Sequence, residues 1–120
     1  MVVNNYSKRT NFSVGIDAED IKRFKKIKKG SRFLSNNFTL RELNYCFSYK
    51  DFVSRLAGTF AAKEAVFKAL GRGKIPLFAI EIVRDIDGKP QVWIKNNSEK
   101  SISISISHTA TVAVAIAIKK

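Results

Sequence analysis

The sequence predicts an α+β domain, with helices packed on an antiparallel sheet. Three observations carry this prediction. Apolar residues recur at helical spacing between Ile21 and Leu70, whereas from Phe78 onward they recur at period two. Turn chemistry at Asp85-Ile86-Asp87-Gly88 joins two β-rich runs, as in a hairpin. No composition break divides the 120 residues, which therefore read as one domain.

Residues 12–16 read as a short strand that ends at Asp17, and residues 18–29 as a helix. Ile21, Phe24 and Ile27 give that helix one apolar stripe. Lys22, Arg23, Lys25, Lys26, Lys28 and Lys29 cover the rest of it, and Gly30 with Ser31 stop it. Thr39 with Glu42 three residues later spells a capping box for a second helix, which carries Leu40, Leu43, Tyr45 and Phe47. Asp51 caps a longer third helix that runs to Leu70, where Gly71 and Gly73 end it. Its apolar positions include Val53, Leu56, Phe60, Phe67 and Leu70.

In the second half, residues 78–83 and 91–95 flank the turn as strands, and Pro90 stands at a strand start, where a missing donor is tolerated. Residues 101–106 alternate Ser and Ile, the pattern of a strand with one buried face. Residues 112–118 alternate Val or Ile with Ala; both faces are apolar, so a central strand is expected.

A hydrophobic share of 45% supplies a core and excludes a disordered chain. The single cysteine, Cys46, forms no internal disulfide and reads as a buried thiol in a reducing compartment. Residues 1–12 lack an apolar signal region, and residues 1–11 read as a loosely ordered N-terminal extension. The run 112–118 is far short of the ~20 residues a membrane helix needs. A cytoplasmic protein without membrane contact is expected. The net charge of +12, from 22 basic and 10 acidic residues, calls for a polyanionic partner. Nucleic acid, an acidic protein and a phosphate-rich small molecule all answer that description.

Glu64 and Lys68 stand at i, i+4 on the long helix and share a face near its apolar stripe. Their pairing reads as a plain helical salt bridge or as part of a site. Asp17 reads as a helix cap or as a metal ligand fixed by a strand, and Asp20 as a first-turn acid or an outer group of that site. His108, the only histidine, shares parity with Ile102, Ile104 and Ile106 and is expected on the buried side. With Ser107 and Thr109 it forms a polar cluster of the kind that binds phosphate. No Walker loop, zinc spacing or nucleophile elbow is present.

Five segments, in order, resemble the holo-(acyl-carrier-protein) synthases of the 4′-phosphopantetheinyl transferase superfamily. They are VGIDAEDIKRF (14–24), RFLSNNFTLREL (32–43), LAGTFAAKEAVFKALG (56–71), DGKP (87–90) and ISISHTATVAVAIAI (104–118). The resemblance spans roughly residues 13 to 119. It implies the short, single-domain form of that fold and a magnesium-dependent transferase. The reaction moves the phosphopantetheine arm of coenzyme A onto a serine of apo acyl carrier protein and releases adenosine 3′,5′-bisphosphate, in support of fatty acid and lipid biosynthesis.

By the same resemblance Asp17 and Glu64 match the magnesium ligands, a role that suits a hard cation. Lys68 matches a helix lysine by the coenzyme phosphates, so Asp17, Glu64 and Lys68 are the implied catalytic residues. Either Glu64, through a water, or Lys68 takes the serine proton. His108, Ser107, Thr109 and Lys63 are implied contacts of coenzyme A, and Gly88, Lys89 and Pro90 approach its adenine end or form a plain hairpin turn. Arg23, with Lys22, Lys25 and Lys26 around it, matches a docking position for the acidic carrier protein. A homotrimer with active sites shared between subunits is also implied. Three positions depart from the family: Asp20 stands where Glu is frequent, and Thr59 and Asn36 where Arg is frequent. The segment after Leu70 is short, and Arg72 and Lys74 are placed to restore positive charge. The alternatives are a transferase serving another carrier protein and a basic nucleic-acid-binding module. The latter leaves Asp17 and Glu64 unexplained, because carboxylates repel phosphates, so no nucleic acid is expected.

Overall fold

The computed structural model describes residues 12–71 and 73–120. The expected N-terminal extension (residues 1–11) and Arg72 lie outside the described residues. Strand β1 (Ser13–Asp20) leads into a short helix α1 (Ile21–Lys25), followed by α2 (Arg32–Asn37), α3 (Leu40–Phe47) and the long α4 (Phe52–Leu70). A 3-10 turn (Leu77–Ala79) opens the second half, with strands β2 (Ile80–Arg84), β3 (Pro90–Ile94), β4 (Asn97–Ser98), β5 (Ile102–His108) and β6 (Val112–Lys119). The strands make two antiparallel sheets, β1-β6-β5 and β2-β3-β4. The α+β expectation therefore holds, and the Val/Ile–Ala strand is the central strand of its sheet, as its two apolar faces required.

The first boundary differs from the expectation. β1 continues through Asp20, because each of its eight residues pairs with β6, from Ser13 with Lys119 to Asp20 with Val112. The sheet holds residues 18–20 extended, and the helix begins only at Ile21. Helix α2, unforeseen in the sequence, is capped by Ser31, whose hydroxyl accepts from the Leu34 amide. The expected caps are present at Thr39, with both arms of its capping box, and at Asp51. Leu40, one of the apolar residues that α3 carries, is 75% exposed. The expected strand from Phe78 begins at Ile80, after the 3-10 turn.

Helix α4 organises the molecule. Small residues (Ala57, Ala61, Ala65, Ala69) line its buried side and meet Ala113, Ala115 and Ala117 of β6. With little side chain between them, helix and sheet approach closely. Gly15 takes this to its limit: a Cβ there would collide with the Ala65 carbonyl and the Ala69 amide. One core cluster joins α4 to Ile80, Ile82, Val92 and Ile102. A second gathers Ile21, Phe24, Leu34, Phe38, Leu56 and Phe60 under the first three helices.

Candidate active site

Asp17 and Lys68 come together because β1 and α4 do. On a strand, alternate residues share a face. Gly15 faces α4, so Asp17 and Glu19 do as well, half-buried beneath the helix, whereas Val14, Ile16 and Ala18 point the other way. Lys68 reaches down from the last turn of α4. Its Nζ donates to the Ile16 carbonyl (2.9 Å) and to Asp17 Oδ1 (3.1 Å). Glu64 lies one turn earlier on the same side of the helix as Lys68. The salt bridge considered from sequence within α4 is replaced here by a cross-element pair, Lys68 with Asp17.

Glu19 was missed from the sequence, and it belongs to the group. Burial and the adjoining Asp17 carboxylate push its pKa up to about 7; Glu64 adds to the rise, and Arg23, paired at 2.8 Å, opposes it. Asp17 Oδ2 is buried and accepts no hydrogen bond. Such a crowd of carboxylates is relieved by a shared proton or by a cation. Among the described residues no three His, Cys, Asp or Glu side chains gather closely enough to cage a metal alone. A hard cation that takes its remaining ligands from phosphate and water fits this pair-plus-neighbour arrangement. The signal for Glu19 was strand parity with Asp17, hidden by starting the helix at residue 18.

Lys63 is placed elsewhere than the sequence reading expected. It is fully buried, with Nζ 2.6 Å from Glu42 Oε1. It therefore does not reach a coenzyme. The Glu42 carboxylate also accepts from the amides of Thr39 (2.9 Å) and Ile82 (2.7 Å). Burial raises the pKa of Glu42 and lowers that of Lys63, each partly offset by the partner's charge. The pair ties α3, α4 and β2 together immediately beside Glu64.

His108 ends β5 on the side that parity predicts, the side of Ile102, Ile104 and Ile106, but is exposed there and not buried, with Nδ1 3.1 Å from the Thr109 carbonyl oxygen. Beyond Ile106 the helix-facing side of the strand runs out from under α4. Thr109 turns inward on its own loop, its hydroxyl accepting from the amides of Thr111 and Val112. Ser107 is exposed. Gly88, at a φ of +83°, closes the hairpin turn organised by Asp85. Lys89 and Pro90 line a cleft of about 480 Å³ together with Gln91, Lys100 and Ser103.

Lys22, Lys25 and Lys26 are exposed around α1. Arg23 is half committed: besides its pair with Glu19, its guanidinium lies over the rings of Phe24, Phe33 and Phe60 at 5.4–5.7 Å. Asp20 is exposed on the face opposite Asp17, and Asn36 is exposed on α2. Thr59 is buried, with its hydroxyl 3.6 Å from the Cys46 sulfur. No described helix is long and apolar enough to cross a membrane.

The model of the 4′-phosphopantetheinyl transferase superfamily matches residues 13–117. The holo-(acyl-carrier-protein) synthase of Caldicellulosiruptor saccharolyticus is 43% identical over 74% of this chain and 73% of its own. A Bacillus anthracis holo-(acyl-carrier-protein) synthase, solved in complex with CoA (3′,5′-ADP), superposes with a TM-score of 0.76 at 32% identity, over 89% of this chain and 94% of that one. The Helicobacter pylori synthase, solved with coenzyme A, also gives 0.76, at 31% identity over 89% and 99%. With the matched segment running from the start of β1 nearly to the end of β6, and the carboxylates and lysine of β1 and α4 inside it, the chain belongs to the 4′-phosphopantetheinyl transferase superfamily, among its holo-(acyl-carrier-protein) synthases.

Proposed function

We propose that this protein transfers the 4′-phosphopantetheine group of coenzyme A to a serine of an apo acyl carrier protein, releasing adenosine 3′,5′-bisphosphate. The observation that carries this reading is the convergence of Asp17 and Lys68 from two elements, with Glu19 and Glu64 beside them. Asp17 and Glu64 would hold a magnesium ion, which when bound supplies charge neutralisation at the diphosphate. Lys68 has two donors engaged, by a carbonyl and a carboxylate, and one left for a phosphate oxygen. That engagement suits a cation better than a base, and leaves Glu64, through a water, to receive the serine proton. The β1–α4 contact holds these groups in place before substrate arrives, so little reorganisation remains for the reaction step.

The other substrate contacts follow the same reading. The cleft beside Lys89 and Pro90 receives the adenosine end, with Ser107 and His108 at the far end of the strand that borders it and Thr109 just beyond. Lys22, Arg23, Lys25 and Lys26 form a basic surface that steers an acidic carrier. A homotrimer accounts for the outer face of the β1-β6-β5 sheet. Val14, Ile16 and Ile118 on it are 58%, 58% and 39% exposed in a single copy. A cytoplasmic location agrees with the buried free thiol.

Intact mass spectrometry of apo acyl carrier protein after incubation with the protein, coenzyme A and magnesium tests the reading. The expected result is a gain of one phosphopantetheine arm, abolished by a chelator and reduced about a hundred- to a thousandfold in rate by Asp17→Asn or Glu64→Gln. No gain with several acidic carriers, from folded protein, would overturn it.

A further inference from the structure

Glu19 stands between the carboxylates under α4 and the basic surface around α1. Its carboxylate adjoins that of Asp17 on one side and accepts from Arg23 Nη1, at 2.8 Å, on the other. The pairing crosses a corner of the chain. Glu19 is held in β1 opposite Ala113 of β6, whereas Arg23 belongs to α1. The Ile21 amide pins the corner by donating to the Thr111 carbonyl at 2.9 Å. Arg23 also rests on a platform: its guanidinium lies over Phe24, Phe33 and Phe60, whose rings pack on one another at 5.4–6.2 Å. The rings engage the face of the guanidinium and leave its N–H edge to choose an oxygen acceptor. Exposure divides the pair, with the Glu19 side chain 12% exposed and that of Arg23 52%. The arginine thus reaches water beside exposed Lys22, Lys25 and Lys26, while its acceptor stays under the helix.

Charge decides what this arrangement does. Asp17, Glu19 and Glu64 lie in one another's field, with Lys68 and Arg23 as side-chain cations among them. A dication added to that group leaves one side-chain cation in surplus. Lys68 is anchored by the Ile16 carbonyl as well as by Asp17 and is 30% exposed. Arg23 is tied to the group through Glu19 and is the more exposed, so it is the one displaced. We infer that Glu19 couples the cation site to the docking surface: a cation in the site draws the charge of Glu19 and frees Arg23 for an acidic partner. The coupling is reciprocal, so a partner that takes Arg23 leaves Glu19 to strengthen the site. Glu19 is thus a positioning residue for Arg23. The inference rests on the transferase reading for the cation and the carrier, and adds to it a link between them.

Manganese(II), followed by the electron paramagnetic resonance of the free ion, probes the site alone. Arg23→Gln is expected to tighten manganese binding about three- to tenfold. In Glu19→Gln, whose own manganese affinity is lower, the same change is expected to have little effect. Additive effects overturn the inference, as does a parent that binds no manganese. The docking side is read by the anisotropy of a labelled apo acyl carrier protein, without coenzyme A. Magnesium is expected to tighten binding to the parent about three- to tenfold more than binding to Glu19→Gln. Its direct effect on the carrier is common to both proteins and cancels in that ratio. An equal effect of magnesium on the two proteins, with Glu19→Gln uniformly weaker, is the mark of a merely structural residue and overturns the coupling. Phosphopantetheine transfer is followed in parallel. Full transfer by a parent that shows neither difference removes the coupling and leaves the transferase. Absence of carrier binding and of transfer, with the manganese effects non-additive, removes the transferase and leaves Glu19 coupling Arg23 to the site.

Discussion

At the residue scale the site rests on a few side chains whose roles depend on which face they occupy. Asp17, Glu64 and Lys68 drew notice in the sequence as a strand-end acid and an i, i+4 pair, and only the family resemblance singled them out as a site; the fold brings Lys68 onto Asp17. The place of Lys63 was not legible, since adjacency to Glu64 says nothing about where the side chain points. Its partner Glu42 read only as the third residue of a capping box, and nothing in that motif signals that the same carboxylate also neutralises a buried ammonium. Cys46, read as a buried thiol, is fully buried. Burial, against a weaker lowering by the Thr59 hydroxyl, pushes it up to about 11. At pH 8 it is therefore a thiol, not the thiolate that reacts. Native protein treated with iodoacetamide at pH 8 is expected to show no added mass, and urea-unfolded protein one adduct. Rapid labelling of the folded state would show that the helices open readily around it.

At the element scale, α4 and β1 matter most, because they carry the carboxylates and the lysine. Gly15→Ala is expected to force the strand and helix apart, with a cost of about 1–3 kcal/mol or more. The larger consequence is geometric: Lys68 loses its hold on Asp17, so transfer slows even at temperatures where the variant stays folded. A folded variant with full activity would show that the contact positions nothing. The buried pair of Glu42 and Lys63 sets how α3 and β2 pack on α4. Removing one partner leaves a charge with neither water nor counter-ion, so Lys63→Met or Glu42→Gln alone is expected to cost about 3–5 kcal/mol in urea denaturation. The double variant is expected to recover part of that, because no charge is left buried, although the single amide oxygen of glutamine accepts from only one of the Thr39 and Ile82 amides. Additive losses would mean the ion pair is not the source. Strand order was less legible than strand identity. Alternation identified β5 and β6, but the end of β1 was set by pairing with β6, a long-range contact that the local Ala-Glu-Asp helix signal concealed.

At the scale of the whole molecule, one sheet face remains to be explained. Register aligns three rows across β1, β6 and β5: Val14 with Ile118 and Ser103, Ile16 with Ile116 and Ser105, and Ala18 with Val114 and Ser107. The face opposite α4 is thus apolar over two strands and edged by serines on the third. No described helix covers it, and Val14 and Ile16 are more than half exposed. A contiguous apolar patch on an otherwise strongly basic chain is costly in water and invites association. The occupant that the proposed trimer supplies is the same face of further copies, met about a symmetry axis. Ile16→Asp tests this without touching the helix-facing side, since its side chain points away from Asp17 and α4. Sedimentation velocity is expected to show the parent as a single assembly near three times the 13.5 kDa chain mass and the variant as a monomer with unchanged circular dichroism. If active sites are shared between copies, the monomer also loses transfer activity, although Asp17, Glu64 and Lys68 are intact. A parent that sediments as a monomer at micromolar concentration would leave the face to another partner. A monomeric variant that keeps full activity would show that each chain holds a whole site.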